Sequence, residues 1–355
     1  MFRRTGLIAL LSLLAVGQTL GAQRGAADGQ GREGGRPGGG RQGNAAAAPS
    51  NPEVPIVGLA GVAFRTSDLT KARAYYAGVL GFPEAFSLTS PSGVISVYFK
   101  INDDQYVEVV NDIKPGEFRR QARVMFQSND LKKLHAIYTE RGVNPTPIAT
   151  GPDGNPVFRV IGPSGAKLDF IEYVPTSRQG QLRGKLLDPR RISTHLWHVG
   201  IYTEDRAASA PFYGDKLGFP RGRDLGRGEY IETPSSDRNT ETKYPPLDLN
   251  IPAQKAQAER ESMGAVEHMA LEVADIRQGR DLIQERGKFT DIQVRTHVGN
   301  NRHWQTHMFD PDGSRAELME TAIQPDSIPS MTVMAPGKTV APPILPKTPG
   351  QLPWP

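Results

Sequence analysis

The stretch His198-Val199-Gly200-Ile201-Tyr202-Thr203-Glu204-Asp205 recurs in outline as His268-Met269-Ala270-Leu271-Glu272-Val273-Ala274-Asp275. Each is a short alternating apolar run that reads as a strand, opened by a histidine and closed by an aspartate placed to cap a following helix. Two further copies lie upstream, Gly61 to Asp68 and Arg123 to Asp130, and these open with glycine and arginine instead. Four copies of one unit are therefore expected, with the histidine confined to the last two.

Working outward, the first copy continues into a helix through Ala72, Tyr75, Tyr76 and Val79 that stops at Leu80-Gly81-Phe82. The third copy does the same through Ala208, Phe212 and Tyr213 to Leu217-Gly218-Phe219. In the second and fourth the helix ends at Glu140-Arg141-Gly142 and Glu285-Arg286-Gly287. Alternating runs punctuated by turn residues follow: Val94 to Ile101 and Gln105 to Val110, then Pro156 to Ile161 and Ala166 to Tyr173. The turns Gly162-Pro163-Ser164-Gly165 and Asp310-Pro311-Asp312-Gly313 precede the last strand of units two and four. Each unit thus reads as βαβββ, an α+β arrangement. One such unit leaves a sheet face open, so the units are expected to pair into two domains, residues 56–175 and 194–322.

The flanks read differently. Met1 to Arg4 is basic and Thr5 to Leu20 mostly apolar, which makes residues 1–22 a Sec-type signal peptide and predicts a periplasmic or secreted protein with no stable membrane span after cleavage. Residues 23–52 are glycine, arginine, glutamine and alanine with little to bury, a disordered linker, and residues 323–355 form a proline-rich tail. The net charge of +4 on 355 residues is too small to indicate a nucleic-acid partner. The chain has no cysteine, so neither disulfides nor thiolate ligands enter.

A βαβββ unit opening His-x6-Asp, a helix ending Tyr-x3-Leu-Gly-Phe, and a partner unit ending Asp-Pro-Asp-Gly-x3-Glu resemble the vicinal oxygen chelate superfamily, which includes glyoxalase I, bleomycin resistance proteins and extradiol dioxygenases. The resemblance spans residues 56–322. It implies a divalent ion held in a cup by side chains from the first and last strands of each unit. In the second domain those positions are His198, His268 and Glu317, with Asp248 as candidate for the fourth.

Two imidazoles and one carboxylate on separate strands are the donor set of a non-haem Fe(II) centre, although Mn(II) and Zn(II) accept the same ligands. With Asp248 as a fourth ligand the set resembles the glyoxalase arrangement, suited to proton transfer by Lewis-acid polarisation. Without it, the set resembles that of extradiol enzymes. That family's tyrosine before the Asp-Pro-x-Gly turn corresponds here to His307, and its upstream histidine to either His297 or His303. His303 and His307 lie on or beside one strand four residues apart, so they either share the cup face or are separated by a bulge. Both are candidates for hydrogen-bond donation or proton shuttling.

In the first domain the four positions read Gly61, Glu108, Arg123 and Asp169. A guanidinium does not ligate a metal, so Arg123 is expected to replace the missing cation and pair with Glu108, Asp169 or both. Arg123 anchoring an acidic ligand is the alternative.

Three functions fit. The favoured one is an extradiol-like enzyme acting on a small molecule with vicinal oxygens. A glyoxalase-type lyase or isomerase and a non-catalytic small-molecule-binding protein are the alternatives. A monomer or a homodimer is compatible with two domains in one chain.

Overall fold

Each repeat becomes a βαβββ unit in the computed structural model, which describes residues 54–114, 117, 119–203, 209, 211–219, 221–224, 229–231, 241–243, 266–286, 295–299 and 301–325. The expected signal peptide, the linker, Asp248 and the tail beyond residue 325 lie outside these residues.

Unit one comprises β1 (Ile56–Arg65), α1 (Leu69–Arg73) running on as a π-helical turn (Ala74–Val79), β2 (Glu84–Thr89), β3 (Ile95–Lys100) and β4 (Tyr106–Val110). Unit two comprises β5 (Gln121–Ser128), α2 (Leu131–Glu140), β6 (Ala149–Thr150), β7 (Pro156–Ile161) and β8 (Lys167–Ile171), and a short helix α3 (Arg178–Gln181) follows it. Unit three has β9 (Leu196–Val199) and β10 (Ile201–Tyr202), a π-helical turn (Phe212–Lys216), β11 (Arg221–Asp224), β12 (Glu229–Ile231) and β13 (Glu241–Lys243). Unit four has β14 (His268–Val273), α4 (Ile276–Arg286), β15 (Arg295–Val298), β16 (His303–Phe309) and β17 (Arg315–Ile323).

The aspartates at the strand ends cap the helices. Asp68 accepts from the Thr70 and Lys71 amides at 2.9 and 3.1 Å, and Asp130 accepts from the Lys133 amide at 3.0 Å. Asp275 accepts from the Arg277 amide at 2.9 Å, while Asp205 lies outside the described residues.

Units one and two share an eight-stranded sheet in the order β2-β3-β4-β1-β5-β8-β7-β6. Its central joint is the antiparallel β1–β5 pair, flanked by parallel β1–β4 and β5–β8 ladders. In units three and four the same plan appears as β15-β16-β17-β14-β9 and β10-β13-β12-β11, with the first strand interrupted at Gly200. One unbroken apolar core runs through both halves. Phe126 of unit two meets Phe219 of unit three edge-on at 5.2 Å, and the Tyr138 hydroxyl of α2 donates to the Leu217 carbonyl at 3.2 Å.

The last-strand turns carry much of the polar joint between the halves. Asp312 accepts from the Thr66 hydroxyl (2.6 Å), the Ser67 hydroxyl (2.6 Å) and the Ser67 amide (3.0 Å). Asp310 accepts from the buried Tyr76 hydroxyl at 2.9 Å and from the amides of Asp312 and Ser314 at 3.0 and 2.7 Å. Gln105 of unit one grips the start of unit three, accepting from the Leu196 amide at 2.8 Å and donating to its carbonyl at 3.0 Å.

The cup of the first sheet is closed by its own charges. Arg123 binds both oxygens of the fully buried Glu108 and places its Nε 3.4 Å from Asp169, while Arg159 clasps Asp169 at 2.5 and 2.7 Å. Arg123 thus pairs with both carboxylates, as the substituted cation requires. Gly61 leaves no room for a ligand, because a Cβ there would collide with the Tyr106 carbonyl oxygen.

Two outcomes follow. Arg123→Met strands the Glu108 charge and is expected to cost about 3–5 kcal/mol in chemical denaturation, with much of the loss recovered on adding Glu108→Gln. Burial pushes the Asp310 carboxyl up to about 6. The folded state therefore keeps a proton that the unfolded chain releases near pH 4. Stability from this group is present at low pH and lost between about pH 4 and 6, by on the order of 3 kcal/mol. Unfolding of Asp310→Asn across that window is expected to lack this component.

Candidate metal centre

Pairing register decides which side chains meet. His198 on β9 lies opposite Ala270 of β14, and Ala270 lies beside Glu317 of β17 in the parallel ladder. Side chains two residues apart on a strand share a face, so His268 and Glu317 project to the same side from neighbouring strands. His198, His268 and Glu317 are all buried, and their ligand atoms lie within 4.8 Å of one another, the only such group of three or more among the described residues. The same register recurs in the first sheet, where Asp169 lies beside Met125 and Glu108 beside Ala63.

The two Nε2 atoms of His198 and His268 are 3.1 Å apart, and His268 Nε2 is 3.7 Å from Glu317 Oε2. Two imidazole nitrogens about 2.1 Å from one ion at a right angle would stand about 3.0 Å apart, so the spacing fits shared coordination. His268 Nδ1 lies 3.1 Å from the Val266 carbonyl oxygen. A carbonyl only accepts, so this contact places the proton on Nδ1 and turns the Nε2 lone pair toward the site. Gly200 makes the ring position possible. A Cβ there would strike both His268 Nδ1 and the Val266 carbonyl oxygen, and the Gly200 amide instead donates to the His268 carbonyl at 2.8 Å.

His307 on β16 pairs with Glu317, its Nε2 3.2 Å from Glu317 Oε2 and 3.2 Å from Gln305 Oε1. Burial, and next the charge of Arg315, hold the His307 ring well below the usual histidine range, so it is neutral at pH 7. The His297 ring stands edge-on to it, centroids 4.5 Å apart. His303 sits beyond a register shift between His303 and Gln305. Its Nδ1 is 2.8 Å from the Glu320 carbonyl oxygen and its ring 5.0 Å from Trp197. The bulge separates His303 from His307, and it is His307 that neighbours the triad.

Sequence reasoning missed Arg315. Its buried guanidinium places NH2 2.9 Å from Glu317 Oε2 and NH1 3.4 Å from both His307 ring nitrogens. The signal available was its position two residues before Glu317 on one strand, which puts both on one face. Among the described residues of unit three, β13 (Glu241–Lys243) is the strand that pairs parallel with the first strand, as β4 does with β1, and the stretch through Asp248 lies outside them. Ile201 pairs with Thr242. One step back, the ladder brings Glu241 level with Gly200, as Glu108 is level with Ala63.

Residues 195–318 match the family model described as Glyoxalase/Bleomycin resistance protein/Dioxygenase superfamily, and this segment is a vicinal oxygen chelate domain. No curated protein matches the chain. Among solved structures, the Mn(II)-bound glyoxalase from Novosphingobium aromaticivorans is 16% identical with a TM-score of 0.55, over 75% of this chain and 82% of that one. The 2,3-dioxygenase LapB from Pseudomonas sp. KL28 is 14% identical with a TM-score of 0.55, over 77% and 95%. An extradiol ring-cleaving dioxygenase from B. fuscum is 17% identical with a TM-score of 0.54, over 80% and 77%. At these identities the likeness concerns the fold, which is that of the vicinal oxygen chelate proteins.

Gly200→Ala is expected to push the His268 ring out of line without touching any donor. Isothermal titration with Mn(II) should then show affinity reduced by at least about tenfold, the scale of effect for groups that orient a ligand.

Proposed function

We propose that this chain is an exported metal-dependent enzyme that cleaves a small aromatic substrate bearing two adjacent hydroxyls, with His198, His268 and Glu317 holding a divalent ion, Fe(II) by preference. The observation that carries it is the buried triad of two imidazoles and one carboxylate converging from three strands. His198, His268 and Glu317 would hold the ion, and Fe(II) bound there would supply Lewis-acid and redox chemistry toward a substrate with vicinal oxygens.

The chain's own residues prepare that site. His307, its Nε2 3.2 Å from the Glu317 carboxylate, is the neighbouring group that would donate a hydrogen bond to a substrate oxygen. Arg315 holds the Glu317 carboxylate from the side and adds a positive charge to the cup, which favours an ionised substrate. Export rests on the basic start and apolar run of residues 1–22. Among the described residues, no helix is long and apolar enough to cross a membrane.

A glyoxalase-type isomerase or lyase is the second reading. Glu241 favours it, because its level in the sheet corresponds to the fourth carboxylate position, and the Mn(II)-bound glyoxalase shares the fold.

The test is metal content by elemental analysis of protein beginning near residue 52, reconstituted anaerobically with Fe(II), Mn(II) or Zn(II), beside a His198→Ala, His268→Ala variant. About one equivalent in the parent and none in the variant is expected. The Fe(II) form should then consume oxygen with simple catechols, and His307→Phe should lower kcat by about a hundredfold or more. Absence of stoichiometric metal in the parent would refute the metalloenzyme, whereas metal binding without oxygen consumption would favour the isomerase.

A further inference from the structure

The residue before the second histidine ligand is Glu267, a fully buried carboxylate. Its partners come from the opposite half of the chain. Arg119 donates from Nε to Glu267 Oε1 at 2.7 Å and places NH2 2.7 Å from the same oxygen, and the Gln121 amide donates to Glu267 Oε2 at 3.1 Å. The Gln121 side chain reaches further and donates from Nε2 to the Gly200 carbonyl at 2.8 Å. Arg119 is itself fixed, donating to the Ser164 carbonyl at 2.6 Å and standing 5.0 Å over the Tyr202 ring.

These contacts converge on the two metal-bearing strands. Glu267 adjoins His268, and Gly200 lies two residues past His198 and directly against the His268 ring. We propose that Arg119, Gln121 and Glu267 form a clamp by which the metal-free half of the chain sets the separation of His198 and His268. Glu267 is a positioning residue and not a ligand, since both its oxygens are engaged by Arg119 and Gln121. A buried ion pair is a poor source of net stability compared with apolar side chains of equal volume. Its place one residue from His268 fits a role in fixing register rather than in adding stability. Gln121 lies two residues from Arg123, so the strand that carries the substitute cation in one cup also carries the hold on the metal strands in the other.

This inference rests on the triad binding a metal, and the experiment separates the two. Full-length protein and the variants Glu267→Gln, Arg119→Met, Arg119→Lys and Gln121→Ala are titrated with Co(II), following both the dissociation constant and the visible d–d absorption, with apo thermal midpoints alongside. Expected are an affinity loss of about ten- to a hundredfold and a shifted d–d spectrum in Glu267→Gln and Arg119→Met, with partial recovery in Arg119→Lys. Gln121→Ala removes a single hydrogen bond and keeps the question answerable if the buried charge variants fail to fold. Variants that lose thermal stability but keep the parent's Co(II) affinity and spectrum would overturn the clamp and leave the metal site standing. A parent that binds no Co(II) would overturn the site itself and the clamp with it.

Discussion

The parallel ladder between β14 and β17 is the constraint on which the site depends. It sets Ala270 beside Glu317, and β9, running antiparallel on the other side of β14, sets His198 opposite the same Ala270. Three strands thereby deliver three side chains able to ligate a metal to one point with no contribution from a loop. A slip of one residue in either pairing would turn a ligand to the helical face. The small side chain of Ala270 at the centre leaves space into which the imidazoles converge.

The repeat made most of this legible. The aspartate closing each first strand and the Leu-Gly-Phe helix stops mark four units, and three of those four aspartates are seen capping helices. His198, His268 and Glu317 could be picked out because each occupies a repeat position. The Arg123 pairing followed from charge balance alone. What was not read has two causes: Arg315 shares a face with Glu317 two residues on, a local signal passed over, whereas Glu267 gains its role only because unit two, distant in sequence, reaches across to it.

The two cups answer one electrostatic problem in two ways. In the first, Glu108 and Asp169 face Arg123 and Arg159, and the positive charge is covalently part of the chain. In the second, imidazoles stand where the first has Gly61 and Arg123, and Glu317 is left with Arg315 and His307 as neighbours. A permanent guanidinium makes the first cup a rigid, self-sufficient support. Histidine makes the second dependent on what it binds.

The turn Asp310-Pro311-Asp312-Gly313 leads directly into β17, yet its carboxylates take hydrogen bonds from Thr66, Ser67 and Tyr76 of unit one. With Glu267 added, three buried acids of the histidine-bearing half find donors in the other half. Separated from it, that half would expose an apolar face and three carboxylates shaped for absent partners. The two halves are in this sense one folding unit: the histidine-bearing units hold all three residues of the triad but not the donors that satisfy their own buried acids.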